Sequence, residues 1–243
     1  MSLSLNFYRD QIGEGGATSA PLPAAHRIVY VRHGSAEING RTLNADEAAY
    51  YDGPLSAKSA GGWCELWRWD LVSPIATPLL HQGSDVLSLV RMQRPIANFA
   101  MLKGTQWLFR LDRIMTPPGG VADRHQHPGP GIRCLIEGTF NVQQAPESIR
   151  DAAPGDPWWE TGSDTVIAWS SPTMGAKFMR AMVLPTEWEG KVTGVWLSGA
   201  PGRRLETLRR SDRHGVTASV TRGPRCGRRF RPSPPACASR CPR

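Results

Sequence analysis

The feature that most constrains the fold is a short β unit that occurs twice in the chain. Residues 30–38 resemble residues 134–142, with a glycine at the same place in each stretch. Each stretch then leads through a polar turn to an acidic and aromatic segment that ends in glycine, residues 46–53 in the first copy and 156–162 in the second. Internal repetition of this kind predicts two copies of one small structural unit.

Within the copies, short runs rich in β-branched and aromatic residues alternate with Gly, Pro and Asn-Gly, which is typical of an all-β sandwich or barrel. The first clear strand is residues 27–32, and Asn39-Gly40 predicts a two-residue hairpin turn with positive φ at both positions. A later run of strict alternation would place four side chains on one face, namely Trp63, Glu65, Trp67 and Trp69.

The middle of the chain has a weaker β pattern. Residues 71–104 read as a connector with one short helix near residues 84–92, where Ser84 would cap the helix and Pro95 would stop it. A second β region begins at Trp107. The predicted parts of the chain are a degenerate N-terminal repeat (1–75), a connector (76–104), a C-terminal repeat (105–190) and a basic tail (191–243).

The net charge of +8 suggests a nucleic-acid-binding protein only until it is divided along the chain. Residues 201–243 hold 12 of the 29 basic residues and two of the 21 acidic residues, so the remainder carries a formal charge of −2. Because the chain before residue 201 is close to neutral, we do not expect the β domains to bind nucleic acid.

Cys64 and Cys134 each lie alone in an apolar run, which favours buried free thiols over a disulfide framework. With no long apolar stretch and no basic and apolar leader at the start, we expect a cytoplasmic, soluble protein without a membrane partner.

The most specific motif lies in the second copy. Residues 119–127 place a glycine five residues before His125-Gln126-His127, and a further glycine, Gly138, follows eleven residues after His127. This pattern resembles the first motif of the cupin superfamily. The resemblance implies an all-β fold of double-stranded β-helix (jelly-roll) repeats, two of them here. Histidines at positions i and i+2 of a strand point to the same side, so both imidazoles can bind one cation.

The sequence departs from the family pattern at two ligand positions. Gly131 stands where the family has a glutamate ligand, and Thr165 stands where it has a third histidine. Glu160 and Asp164 flank the second of these positions, and either could complete a set of two histidines and one carboxylate or act as a general base.

The resemblance implies two alternative functions. In the first, His125 and His127 bind a divalent metal (Fe, Mn, Ni or Zn), and the protein is a metal-dependent enzyme for a small organic substrate, either a dioxygenase-like oxidoreductase or an isomerase. In the second, the metal site is vestigial and the protein is a non-catalytic cupin that binds a small molecule. The family resemblance also raises the possibility of a homodimer.

Other residues carry weaker hypotheses about a substrate pocket. Arg133 could pair with an anionic substrate. Tryptophans could line an apolar pocket, although packing in the core is the more common role for each of them; these are Trp63, Trp67, Trp69, Trp158 and Trp159. In the first copy the position that corresponds to His127 is Pro23, which predicts a barrel without metal that is kept for packing.

The tail, residues 191–243, becomes rich in Arg, Pro, Ser and Cys and loses its periodicity from about Ala200, so we expect that part to be disordered. Three interpretations remain open for it. It could be an arm for nucleic acid or a membrane surface, a zinc-binding fragment, or a stretch without selected function such as a frame-shifted reading of GC-rich DNA would give. The zinc ligands would be His214, Cys226, Cys237 and Cys241.

Overall fold

The computed structural model describes residues 3–73, 78–96, 107–144 and 148–197, together with the backbone of residues 216–220. The described elements are 18 β-strands and one short 3-10 helix, Thr186–Trp188. The prediction of an all-β fold is confirmed. None of the helical structure in the described residues is long or apolar enough to cross a membrane.

The first repeat is a single, nearly closed sheet of eight strands. The strands are β1 (Leu3–Thr18), β2 (His26–His33), β3 (Ser35–Ile38), β4 (Arg41–Asn44), β5 (Ala48–Tyr51), β6 (Ala57–Ser59), β7 (Cys64–Val72) and β8 (Gly83–Ile96). Their order is β4-β3-β6-β1-β7-β2-β5, and β8 pairs with β1. The predicted hairpin lies between β3 and β4, and Asn39 and Gly40 both have positive φ.

The second repeat is built from two sheets of five strands. One sheet has the order β13-β12-β15-β10-β17, and the other has the order β14-β11-β16-β9-β18. The strands are β9 (Trp107–Thr116), β10 (Val121–Gln126), β11 (Gly131–Gly138), β12 (Phe140–Gln143), β13 (Ile149–Ala152), β14 (Pro157–Glu160), β15 (Val166–Ser170), β16 (Ala176–Pro185), β17 (Val195–Trp196) and β18 (Val216–Val220).

The same antiparallel pairing occurs in both repeats. In the first repeat β2 lies between β5 and β7, and in the second β11 lies between β14 and β16. Gly34 and Gly138 end the two corresponding strands with φ values of +70° and +85°. A Cβ atom at Gly138 would collide with the carbonyl of Gly175, so both backbone conformation and space require glycine there.

The largest apolar core lies between the two repeats. Phe7, Trp67 and Trp69 of the first repeat belong to one buried cluster with Phe109 and Trp159 of the second. Strands β7 and β11 are therefore covered on one face by their own barrel and on the other by the opposite repeat. Burial of this much aromatic surface on both sides stabilises the two repeats as one unit.

Each barrel also has an apolar interior of its own, centred on residues such as Val31 and Leu66 in the first and Phe140 and Trp158 in the second. Cys64 lies in the interior of the first barrel and is a buried free thiol, as predicted. Cys134 is also a buried free thiol and packs between the repeats.

The first barrel is more than an apolar packing unit, because it contains a buried network of charges. Arg68 pairs with Asp10 (Nε to Oδ2, 2.8 Å) and with Asp70, and Arg27 lies 3.3 Å from Asp70. All four side chains are fully buried. Burial raises the pKa of the Asp10 carboxyl, but the charge and hydrogen bonds of Arg68 outweigh burial and hold this pKa below its usual range. Arg68 therefore stabilises the ionised form of Asp10.

Two predictions about the middle and the start of the chain are wrong. Residues 84–92 form no helix, because they belong to β8, which pairs along β1. The connector predicted at residues 76–104 is thus partly a strand of the first sheet. The 16-residue strand β1 was not predicted from the sequence. It pairs with β7, from Ser4 opposite Val72 to Ile12 opposite Cys64.

In the predicted tail, the described structure includes β17 and β18. The backbone of β18 pairs with β9, with Val216 opposite Leu111 and Val220 opposite Trp107. β17 lies before the part predicted to be disordered, which begins at about Ala200, and β18 is a described strand within that part. The four candidate zinc ligands of the tail lie outside the described residues.

We predict that Asp10→Ala lowers the free energy of unfolding by about 3 to 5 kcal/mol, because it leaves the buried Arg68 without its main partner. Urea denaturation measures this change. Glu37→Ala is the matched control, since Glu37 pairs with Lys58 at the surface and its loss should cost less than about 1 kcal/mol. Equal effects of the two substitutions would contradict the structural role of the buried network.

Candidate functional site

The two histidines of the motif lie at the polar end of the second barrel. His125 is in the last part of β10, His127 follows that strand, and both are buried. Their ring centroids are 4.9 Å apart. The spacing of two residues along the chain therefore brings the imidazoles together, as the sequence predicts.

The backbone fixes the hydrogen positions on both rings. His125 Nδ1 lies 2.6 Å from the carbonyl oxygen of Asp123, and His127 Nδ1 lies 2.9 Å from that of Thr193. A carbonyl oxygen only accepts hydrogen bonds, so each Nδ1 carries the proton and donates it. When a ring is neutral, its Nε2 is left with a lone pair, which is the arrangement found in metal-binding histidines.

Glu160 is the acidic residue that the fold brings to the histidines. It ends β14, and its neighbour across the sheet is Gly131 of β11. Its Oε1 accepts a hydrogen bond from Trp158 Nε1 (2.9 Å), and its Oε2 lies 2.7 Å from Arg133 Nη2 and 3.1 Å from His127 Nε2. The carboxylate is therefore held by a hydrogen bond from Trp158 at Oε1 and by an ion pair with Arg133 at Oε2, and Oε2 also faces the imidazole nitrogen.

Burial and the arginine set the charges of this group. Burial lowers the pKa of His127 to about 4, against the opposing effect of Glu160, and it also lowers the pKa of His125. Burial raises the pKa of Glu160, but the Arg133 charge and the hydrogen bonds outweigh it, so the pKa of Glu160 lies well below its usual range. At neutral pH the site holds neutral imidazoles beside an ionised carboxylate.

The donor set fits a divalent metal, because it offers neutral imidazole nitrogens and a carboxylate oxygen. In the part of the chain that the structure describes, however, no three His, Cys, Asp or Glu side chains converge as a group that could hold a metal ion. The close contacts are pairwise: His125 with His127, and His127 with Glu160.

The remaining predicted site residues lie in different surroundings. Asp164 accepts a hydrogen bond from the Thr161 hydroxyl (2.7 Å) in the turn after β14. Trp158 packs in the second barrel and binds Glu160, whereas Trp159 points to the core between the repeats. Arg133 donates to the Gly131 carbonyl (2.6 Å) as well as pairing with Glu160, so its guanidinium is already engaged by the protein.

Two tryptophans of the first repeat pack in a core, which is the more common role for this residue. Trp67 and Trp69 are buried between the repeats, and Trp63 precedes β7, is exposed and stacks on His33. Of the four residues predicted to share a face, Glu65 and Trp67 contact each other through a hydrogen bond from Trp67 Nε1 to Glu65 Oε1 (2.9 Å), and Trp63 lies just outside the strand because β7 begins at Cys64.

Sequence reasoning missed several residues around the site. Thr193 contributes a main-chain carbonyl, which has no signature in the sequence. Trp196 lies beside His125, with ring centroids 5.1 Å apart, in a stretch that composition assigns to the tail. Arg180 pairs with Asp112 (2.9 Å) on the strands next to Arg133. In the sequence, a polar barrel interior is indicated by Arg110 and Asp112, which are two residues apart on β9 and therefore point to the same face.

Comparison with solved structures identifies the fold. The oxalate decarboxylase of Lactobacillus farciminis, in complex with formate, matches with a TM-score of 0.54 at 11% identity, over 79% of this chain and 79% of that chain. AerE from Microcystis aeruginosa matches with a TM-score of 0.50 at 14% identity, over 74% of this chain and 88% of that chain. The protein has a cupin-like fold.

A variant of the oxalate decarboxylase from B. subtilis, in which one tryptophan is replaced by phenylalanine, is similar to the same extent. It matches with a TM-score of 0.52 at 10% identity, over 76% of this chain and 72% of that chain. At these identities the likeness shows the cupin fold and nothing of the reaction. No protein-family model and no curated protein matches the sequence.

We predict that the metal-free protein loses stability as the pH falls from about 6.5 to about 4. The pKa of His127 is lowered to about 4 in the folded state, whereas histidine in an unfolded chain has a pKa of about 6.5. The unfolded state therefore binds more protons in this window, and acid favours unfolding.

Between pH 7 and pH 4.5, the free energy of unfolding should fall by about 2 kcal/mol less in His127→Gln than in the parent protein. Urea denaturation at the two pH values measures the difference, and His33→Gln, which changes an exposed ring, should keep the dependence of the parent. The prediction fails if the parent and His127→Gln lose the same stability between the two pH values.

Proposed function

We propose that the second cupin repeat binds a divalent metal through Nε2 of His125 and Nε2 of His127 and that the protein acts on a small organic substrate there. The observation that carries the proposal is the pair of hydrogen bonds from Nδ1 of each ring to a backbone carbonyl. They leave two lone pairs directed away from the backbone on two buried rings.

Glu160 adds a second argument. Its Oε2 lies 3.1 Å from Nε2 of His127, and at neutral pH both atoms are acceptors that face each other. Arg133 offsets part of the carboxylate charge. A cation shared by the imidazole and the carboxylate would remove the remaining repulsion, so Glu160 is the residue we assign as the third ligand.

The residues differ in what they contribute. Trp158 holds Oε1 of Glu160 by a hydrogen bond, so that Oε2 is the oxygen that faces His127. The charge of Arg133, which pairs with Oε2, keeps the carboxylate ionised. A carboxylate with so low a pKa is a poor proton acceptor, so we assign Glu160 to binding rather than to general-base catalysis. Asp164, tied to Thr161 in its turn, is the alternative base.

A bound divalent metal would supply Lewis acidity or a site for dioxygen. Two or three protein ligands leave positions for substrate, which favours dioxygenation as the first reaction class to test and isomerisation as the second. Iron, manganese, nickel and zinc all suit imidazole and carboxylate donors.

A specific observation also favours a second candidate function, metal-free binding of a small molecule. Arg133 already forms an ion pair with Glu160, so the buried carboxylate has a cationic partner from the protein itself. In that case the cupin barrel would bind its ligand through the polar end of its interior alone.

We predict close to one equivalent of Fe, Mn, Ni or Zn in the parent protein, purified without a histidine tag, and none in a folded His125→Ala/His127→Ala variant. Elemental analysis after incubation with each metal measures the content, and far-UV circular dichroism checks the fold. At a free metal concentration about 100 times the dissociation constant, binding should also stabilise the parent by about 2.7 kcal/mol.

His33→Ala is the matched control, because it removes one histidine from the first repeat and should leave the metal content unchanged. Absence of metal from the reconstituted parent would overturn the metal-dependent proposal and leave metal-free binding as the better account. Metal that persists in the double variant would place the binding site elsewhere.

A further inference from the structure

The site is bordered by a segment that we call the strap, residues 186–197. It begins with the 3-10 helix and ends with β17. Arg110 Nη1 donates to the carbonyl oxygens of Trp188 (3.1 Å) and Lys191 (2.8 Å), and the Leu197 amide donates to the carbonyl of Arg124 (3.1 Å). These bonds hold the strap against the second barrel at both ends.

The strap also reaches the site in its middle. Thr193 is fully buried, and its carbonyl oxygen accepts the hydrogen bond from Nδ1 of His127. The strap thereby determines which nitrogen of His127 is free to bind a ligand. It is part of the site, although it lies beyond the repeated β unit.

Trp196 is the strap residue with the most informative position. Strands β17 and β10 are antiparallel, and Trp196 lies directly opposite His125. Direct partners in an antiparallel pair project from the same face of the sheet, so the indole and the imidazole share one side. The centroid distance of 5.1 Å and the angle of 47° between the rings agree with this.

The exposure of the two rings differs sharply. Trp196 is 46% exposed, whereas His125 is 6% exposed. The exposed indole thus borders a buried imidazole whose Nε2 is available to a ligand. A ligand bound at that nitrogen would lie within reach of the open indole face.

We propose that Trp196 is the ligand-contacting wall of this site and that it selects planar, π-conjugated organic molecules, which stack on its indole beside His125. The inference rests on the proposed function in placing the ligand at the second repeat. A flat conjugated ring gains dispersion and quadrupole interactions with an indole face that a puckered ring of the same size does not.

The chain offers a matched control for a half-exposed tryptophan next to a histidine. Trp63 is 48% exposed and stacks on His33 with a centroid distance of 5.6 Å. His33 is itself exposed, and the pair is in the first repeat, away from the buried His125. Any general effect of removing a surface tryptophan should therefore appear equally at Trp63.

The experiment compares two probes of equal charge and similar size, benzoate and cyclohexanecarboxylate. Their dissociation constants are measured by ligand-detected NMR titration, with and without Co²⁺, for the parent, Trp196→Phe, Trp196→Ala and Trp63→Ala. We expect the parent to prefer benzoate by about five- to tenfold. Trp196→Phe should retain most of the preference, Trp196→Ala should abolish it, and Trp63→Ala should not change it.

Several results would overturn the inference: equal binding of the two probes by the parent, no binding of benzoate, a preference that survives in folded Trp196→Ala, or an equal loss in Trp63→Ala. Failure of the metal proposal gives a different pattern. If Co²⁺ does not bind but the metal-free parent prefers benzoate in a way that depends on Trp196, the planar-ligand inference stands and the metal-dependent function falls.

Discussion

The apolar layer between the two repeats is the interaction on which the rest of the structure depends. Trp69 of β7 and Ile132 of β11 belong to this layer, and these two strands are covered on both faces along most of their length. A strand buried on both faces cannot leave a charged side chain unpaired, because an isolated buried charge costs several kcal/mol. The charged residues of both barrel interiors are accordingly arranged in pairs.

The buried charges are paired differently in the two repeats. In the first, Arg27 and Arg68 are paired with Asp10 and Asp70 in a closed network. In the second, the pair formed with Glu160 leaves one carboxylate oxygen facing an imidazole. By the spacing from Gly34 and Gly138, Pro23 takes the position of His127 in the sequence, and proline has no side chain that could bind a ligand. The binding site is accordingly proposed in the second barrel alone.

The parts of the fold that could be predicted from sequence are those fixed by local chemistry. Asn39-Gly40 specifies its turn by backbone preference alone, and the spacing of His125 and His127 places their rings on one side. Strand β1 could not be predicted in this way because Arg9, Asp10 and Gln11 interrupt its apolar pattern, and their partners Glu65 and Arg68 are more than 50 residues away in the chain. Strand β8 was missed for the same reason, since its partner β1 is also distant along the chain.

The site itself was half predictable. The histidines follow from their spacing, but sequence left Glu160 and Asp164 as alternatives. The pairing of Glu160 with Arg133 depends on the register of β11 against β14, and the Thr193 carbonyl belongs to a backbone that carries no side-chain pattern. The most direct test of the account is a crystal structure from metal-soaked crystals with anomalous scattering recorded at the metal edge. The account predicts an anomalous peak bound by Nε2 of His125 and Nε2 of His127, beside Glu160; a peak elsewhere, or no peak at a saturating metal concentration, would contradict it.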